Sequence, residues 1–202
     1  MYWKFATLAI IFIFFAWCYI EIKLRSRKDD EIENAFWERE ERANSVRRKP
    51  IDGLDYIKVP SDLPRDLLPD HPEIPEIVRT VDRISKENIL NLTGYSNTDL
   101  KLEYGTANIT ALSMYDQNYT ALVTTLQKWA DILLDNEYEA EAVRIMEFLV
   151  STRVDIGRTY RLLARYYLNN GRSDDFEGLK RTASELKSLS GPHILESLND
   201  MG

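Results

Sequence analysis

Two stretches 34 residues apart decide how the second half of the chain folds: LQKWADILLDN, residues 126–136, and YRLLARYYLNN, residues 160–170. Laid over one another they pair Leu126 with Tyr160, Trp129 with Leu163, Ala130 with Ala164, Leu133 with Tyr167, Leu134 with Leu168 and Asn136 with Asn170. Apolar residues three and four apart define one face of a helix. Each stretch stops in a polar break, Asp135-Asn136-Glu137 or Asn169-Asn170-Gly171, and a second helical period follows. That period is Ala142, Ile145, Met146 and Leu149 in the first case, and Phe176, Leu179, Ala183 and Leu186 in the second. The expectation is two helical hairpins, near 119–153 and 154–189. A hairpin cannot bury its apolar face alone, so helices on both sides must cover the pair. The upstream helices and a short tail helix beginning at Pro192, with Ile194, Leu195 and Leu198, are the candidates.

A 34-residue helix–turn–helix period resembles the tetratricopeptide repeat family. Ala130 and Ala164 stand at the family's small position in its first helix, and Ala142 at the small position that opens the second. The pattern departs at Phe176, which replaces a small residue, and at Val154, where a loop proline is usual. The resemblance implies that the exposed face of each first helix lines a groove for extended peptides or carboxylate tails. Arg158, Arg161 and Arg165, at i, i+3 and i+7, fall on that face. Gln127 and Asp131 match two of them one repeat earlier, and Asn169 completes the expected peptide-binding set. Arginine suits the role because its planar fork donates two bonds to one carboxylate. The competing reading is that these arginines pair with the protein's own acids.

Upstream, Ile77, Val81 and Ile84, with Val78 and Ile89, predict a helix from Pro75 to about Asn91, and a shorter one over 98–104 stops at Gly105. Six of the seven prolines fall in the segment around 50–75, which reads as a linker because proline removes donors and extends the residue before it. Before Pro50 there is neither Gly nor Pro, so residues 23–49 read as a charged helical stalk with one apolar spot at Ile32, Phe36 and Trp37.

The first 22 residues read as a transmembrane anchor, with Phe5, Ile11, Phe14, Trp17 and Ile20 in an uncharged run. Bulky Trp17 and Tyr19 beside Cys18 disfavour both signal cleavage and lipoprotein processing. Lys23, Arg25, Arg27 and Lys28 after the run, against Lys4 before it, place the body on the cytoplasmic side, with an extracytoplasmic body as the alternative. The layout also resembles single-pass membrane proteins of Gram-positive-type bacteria.

A net charge of −7 disfavours nucleic acid as a partner. One cysteine excludes an intrachain disulfide and a Cys-based metal site. His71 and His193 read as a surface loop residue and a helix-start residue. No phosphate loop, His-Glu-x-x-His pattern or nucleophile elbow occurs. Asn91, Asn108 and Asn118 each open an Asn-x-Thr triplet, read as chance. The whole describes an all-α chain in four parts: anchor 1–22, stalk 23–49, proline-rich linker 50–75 and helical domain 76–202. The function expected is a membrane-tethered adaptor without enzymatic activity, cofactor or metal. Its partners would be the lipid bilayer and a protein or peptide; the alternative is an exported envelope sensor or assembly subunit.

Overall fold

The computed structural model describes the backbone of residues 2–202 and the side chains of residues 14, 15, 17, 19–23 and 29–202. Among the described residues the fold is all-α, with eight α-helices, one 3-10 turn and no strand. The chain divides into two compact units, residues 1–49 with 97–107, and residues 50–96 with 108–202.

In the first unit, α1 (Tyr2–Ser45) runs unbroken for 44 residues. The absence of Gly and Pro permits this, and Pro50 forbids much more, since the residue before a proline is pushed to extended geometry. Among the described residues, however, no helix is long and apolar enough to cross a membrane. The expected anchor is therefore corrected, and with it the cell-membrane location and the cytoplasmic orientation derived from it. The physical reason is in the same helix. The uncharged run from Phe5 to Ile20 rises only about 24 Å at about 1.5 Å per residue, short of a hydrocarbon core of roughly 30 Å. Glu21 and Lys23 then follow without a break. Phe14, Trp17 and Ile20 are exposed on α1; the side chains of Phe5 and Ile11 lie outside the described residues.

The C-terminal end of α1 packs on α3 (Asn97–Tyr104), burying Ala43 and Leu100. Arg39 pairs with Asp99 at 2.6 Å, and Glu40 accepts bonds from Lys101 and from the Thr98 hydroxyl. The stalk thus packs on α3 through one side near its end, at Ala43, while Ile32, Phe36 and Trp37 are exposed. Gly105 ends α3 at φ +85°, where a Cβ would lie 2.4 Å from the Arg47 carbonyl oxygen.

The second unit stacks α2 (Ile74–Ile84) on α4 (Ile109–Asp135), α4 on α5 (Glu139–Ser151), α5 on α6 (Gly157–Asn169) and α6 on α7 (Ser173–Ser184). The final helix, α8 (Gly191–Asn199), covers α6 and α7. The two expected hairpins are α4 with α5 and α6 with α7. Ala130, Ala142 and Ala164 are fully buried, so the helices meet closely where their side chains are smallest. Both hairpin turns use one design. Tyr138 donates its N–H to Leu133 and Glu137 to Leu134; 34 residues on, Arg172 donates to Tyr167 and Gly171 to Leu168. This is the Schellman closure, which needs a left-handed residue after the helix. Glu137 supplies it at φ 66° and Gly171 at φ 68°.

α2 stops at Ile84, well before Asn91, because Lys86, Glu87 and Asn88 have no apolar face to offer; Ile89 is buried from an extended segment instead. The proline-rich residues 50–73 are non-helical, yet they are not a free linker. Leu63 joins the core, and Ile57, Val59, Leu67 and Leu68 pack against it. Arg65 bonds Asp82 at 3.0 Å, Arg144 bonds Asp62 at 2.7 Å, and Ile57 donates its N–H to the Ile89 carbonyl.

Candidate functional site

The face shared by α4 and α6 carries every residue of the expected peptide-binding set, and it is built in two parts. The inner part is a closed polar chain. The Thr159 hydroxyl donates to Gln127 Oε1, Gln127 Nε2 donates to Asp131 Oδ1 at 3.2 Å, and Arg158 pairs with the same oxygen at 3.0 Å. Thr159 is fully buried and Asp131 half-buried, so the chain ties the start of α6 to the second half of α4. Its donors and acceptors answer one another. Gln127, Asp131 and Arg158 are in this sense committed to joining two helices.

The outer part is Arg161 and Arg165, one turn apart and both exposed. Among the described residues neither has an ion-pair partner. Arg161 reaches back along α6, its guanidinium near Gly157, where an added Cβ would lie 3.1 Å from Nη1 and 3.5 Å from Ile194 of α8. Asn169, the last residue of α6, is exposed at the far end of the stripe. The structure therefore brings the set onto one face but divides it, with one arginine neutralised and two facing solvent.

Several residues that matter here were passed over in the sequence. Thr159 gives no signal, since a threonine in a helix's first turn reads as an ordinary polar residue. Arg172 stacks on the Tyr167 ring at 4.6 Å and pairs with Glu147 at 3.1 Å and Asp175 at 2.7 Å, while Tyr167 donates to Glu147 at 3.0 Å. This knot joins α5, α6 and α7. Burial first, then the Glu147 charge, pushes the Tyr167 phenol far above its ordinary value. Asn91, read as a chance triplet, is a crosslink: its Nδ2 donates to the Thr152 carbonyl at 2.8 Å and to the Tyr119 hydroxyl at 3.1 Å. Burial pushes the Tyr119 phenol up to about 12. Asn108 is buried and Asn118 donates to the Asn88 carbonyl, so all three triplet asparagines are engaged in the fold.

Neither histidine belongs to this face. His71 Nδ1 accepts the Glu73 N–H at 3.2 Å and turns the chain into α2; His193 is exposed beside Glu196 on α8. Among the described residues no group of three or more His, Cys, Asp or Glu side chains converges as a metal site would.

No family model matches this chain, and no curated protein or solved structure matches it. The likeness to the tetratricopeptide family in a single-pass membrane protein is corrected on that finding together with the missing span. The 34-residue echo stands as a property of two helix pairs and their turns, without family membership. Phe176 shows the physical difference: a buried phenylalanine holds α7 where the repeat pattern needs a small residue.

Proposed function

We propose that the helical unit is a non-enzymatic scaffold that holds a protein partner through an acidic peptide segment lying along α6. The observation that carries this reading is Arg161 with Arg165, two exposed guanidinium groups on adjacent turns with no carboxylate of the described residues against them, in a chain of net charge −7. An acidic protein tends to spread its cations among its acids, as it does at Arg158. Two left facing solvent side by side present ten N–H donors to carboxylates spaced about one helical turn apart. Glu73, Asp131 and Glu147 are occupied by Lys128, Arg158 and Arg172, which leaves the arginine pair open to an outside anion.

The test is a comparison of the full chain with its Arg161→Glu/Arg165→Glu variant as bait. Proteins held by the wild type and lost by the variant, and then displaced by an acidic peptide but not by its amidated, uncharged counterpart, would support the reading. Identical sets of bound proteins for the two baits would sink it.

A further inference from the structure

We propose that α1 is a self-association helix and that two copies of the chain pair through it in parallel and in register. This stands apart from the α6 reading, since none of its residues belongs to that face. The backbone of α1 places residues 15, 18, 22, 25, 29, 32 and 36 on one stripe, alternately three and four apart. That spacing is the seam of a left-handed two-stranded coiled coil. The described apolar members of the stripe, Phe15, Ile22, Ile32 and Phe36, are 65%, 67%, 69% and 54% exposed. The helix thus carries a row of large apolar side chains that are each more than half exposed.

Charge identifies the second copy as the occupant. The sequence splits sharply at the middle of the stripe, with Lys23, Arg25, Arg27 and Lys28 before Asp29, Asp30, Glu31 and Glu33 after. In a parallel pair, Lys28 flanks the seam on one helix and Glu33, five residues on, flanks it on the other. This is the spacing of interhelical ion pairs, and it recurs twice by symmetry. Among the described residues Glu33 accepts one long bond, from Trp37 Nε1 at 3.3 Å. Residues 25 and 29 form adjacent seam layers of opposite sign, the kind of polar interruption that sets register at some cost in stability.

Orientation follows from the apolar end. Parallel pairing lays the uncharged run before Glu21 against itself, whereas an antiparallel pair would set it against the charged end that holds Arg39 and Glu40. Those two are already engaged by α3, which closes the stripe after Phe36.

Cys18 lies on the stripe and is the only cysteine, so it reports the pairing directly. Extracts containing the full chain are oxidised with copper–phenanthroline and read on a non-reducing gel. The wild type is expected to run mainly as a covalent dimer. Ile32→Glu/Phe36→Glu should lose most of that dimer, Lys28→Glu should lose part of it, and Lys28→Glu/Glu33→Lys should recover it. Ile32, Glu33 and Phe36 are exposed, so substituting them leaves the rest of the fold intact. Absence of a wild-type dimer, or a dimer that the Ile32→Glu/Phe36→Glu variant leaves unchanged, overturns the proposal. In a Cys18→Ser background, Ile22→Cys should crosslink to itself; preferential crosslinking of co-expressed Ile22→Cys and Ile32→Cys chains would establish the antiparallel arrangement and overturn the parallel one.

Discussion

Glu137 and Gly171 occupy the same turn of successive helical hairpins, 34 residues apart, at φ 66° and φ 68°. One is a glycine, for which the left-handed region is open; the other carries a side chain that disfavours it. The shared backbone geometry is set by the hairpin and not by the residue.

It follows that Glu137→Gly should stabilise the second unit by about 0.5–1 kcal/mol, and Gly171→Ala should destabilise it by a similar amount. Nothing lies within 4 Å of a Cβ built on Gly171, so its cost would be conformational and not steric. Urea unfolding of each variant, followed by circular dichroism, checks both signs. A stabilising Gly171→Ala would contradict the account.

Asn91→Ala should cost about 1–3 kcal/mol, because it strips a donor from the Thr152 carbonyl, whose residue is buried, and from the Tyr119 hydroxyl. Asn118→Ala removes a single bond to the Asn88 carbonyl at 3.0 Å and should cost less. Comparing the two unfolding midpoints tests whether Asn91 is the crosslink described or a replaceable loop residue.

Asp131→Ala releases Arg158 and adds a third solvent-facing arginine to the α6 stripe. An acidic peptide should then bind more tightly, by a factor read in fluorescence polarisation, while stability falls by about 1–2 kcal/mol, because half-buried Asp131 also accepts the Gln127 bond. Weaker binding would mean that the polar chain from Thr159 to Arg158 shapes the site instead of occupying it.

Glu40 gives the first unit a pH dependence. The Lys101 ammonium, then the Thr98 hydroxyl, hold its carboxyl below the ordinary value of 4.5. A carboxyl with a depressed folded-state pKa contributes stability that is fully present above its unfolded pKa and lost as pH falls through the folded one. Packing of α3 on α1 should therefore loosen below about pH 4.5, with Glu40→Gln loosened already at neutral pH. Hydrogen exchange of residues 97–104 reads the change; protection independent of pH in the wild type would remove Glu40 from the account.

The helical class, the two hairpins and the end of α3 at Gly105 were legible in residue spacing, because a buried helix face repeats at 3.6 residues wherever it occurs. Ala130, Ala142 and Ala164 announced close helix contacts for the same reason. The candidate site was legible only as a stripe. Arg158, Arg161 and Arg165 look alike in the sequence, and their division depends on Asp131 standing opposite Arg158 from another helix, which no local pattern encodes.

Composition misled where a local property was taken for a tertiary one. Six prolines marked residues 50–75 as non-helical, which they largely are, but proline says nothing of burial, and Leu63 found the core through contacts made far along the chain. At the N-terminus the uncharged run was plain, yet among the described residues no helix is long and apolar enough to cross a membrane. Local propensity and periodicity determine which segments become helices, because those energies are paid within a few turns. Which arginine is neutralised, which loop is buried and which turn must be left-handed are decided by residues far apart in sequence, and become visible only when the fold has brought them together.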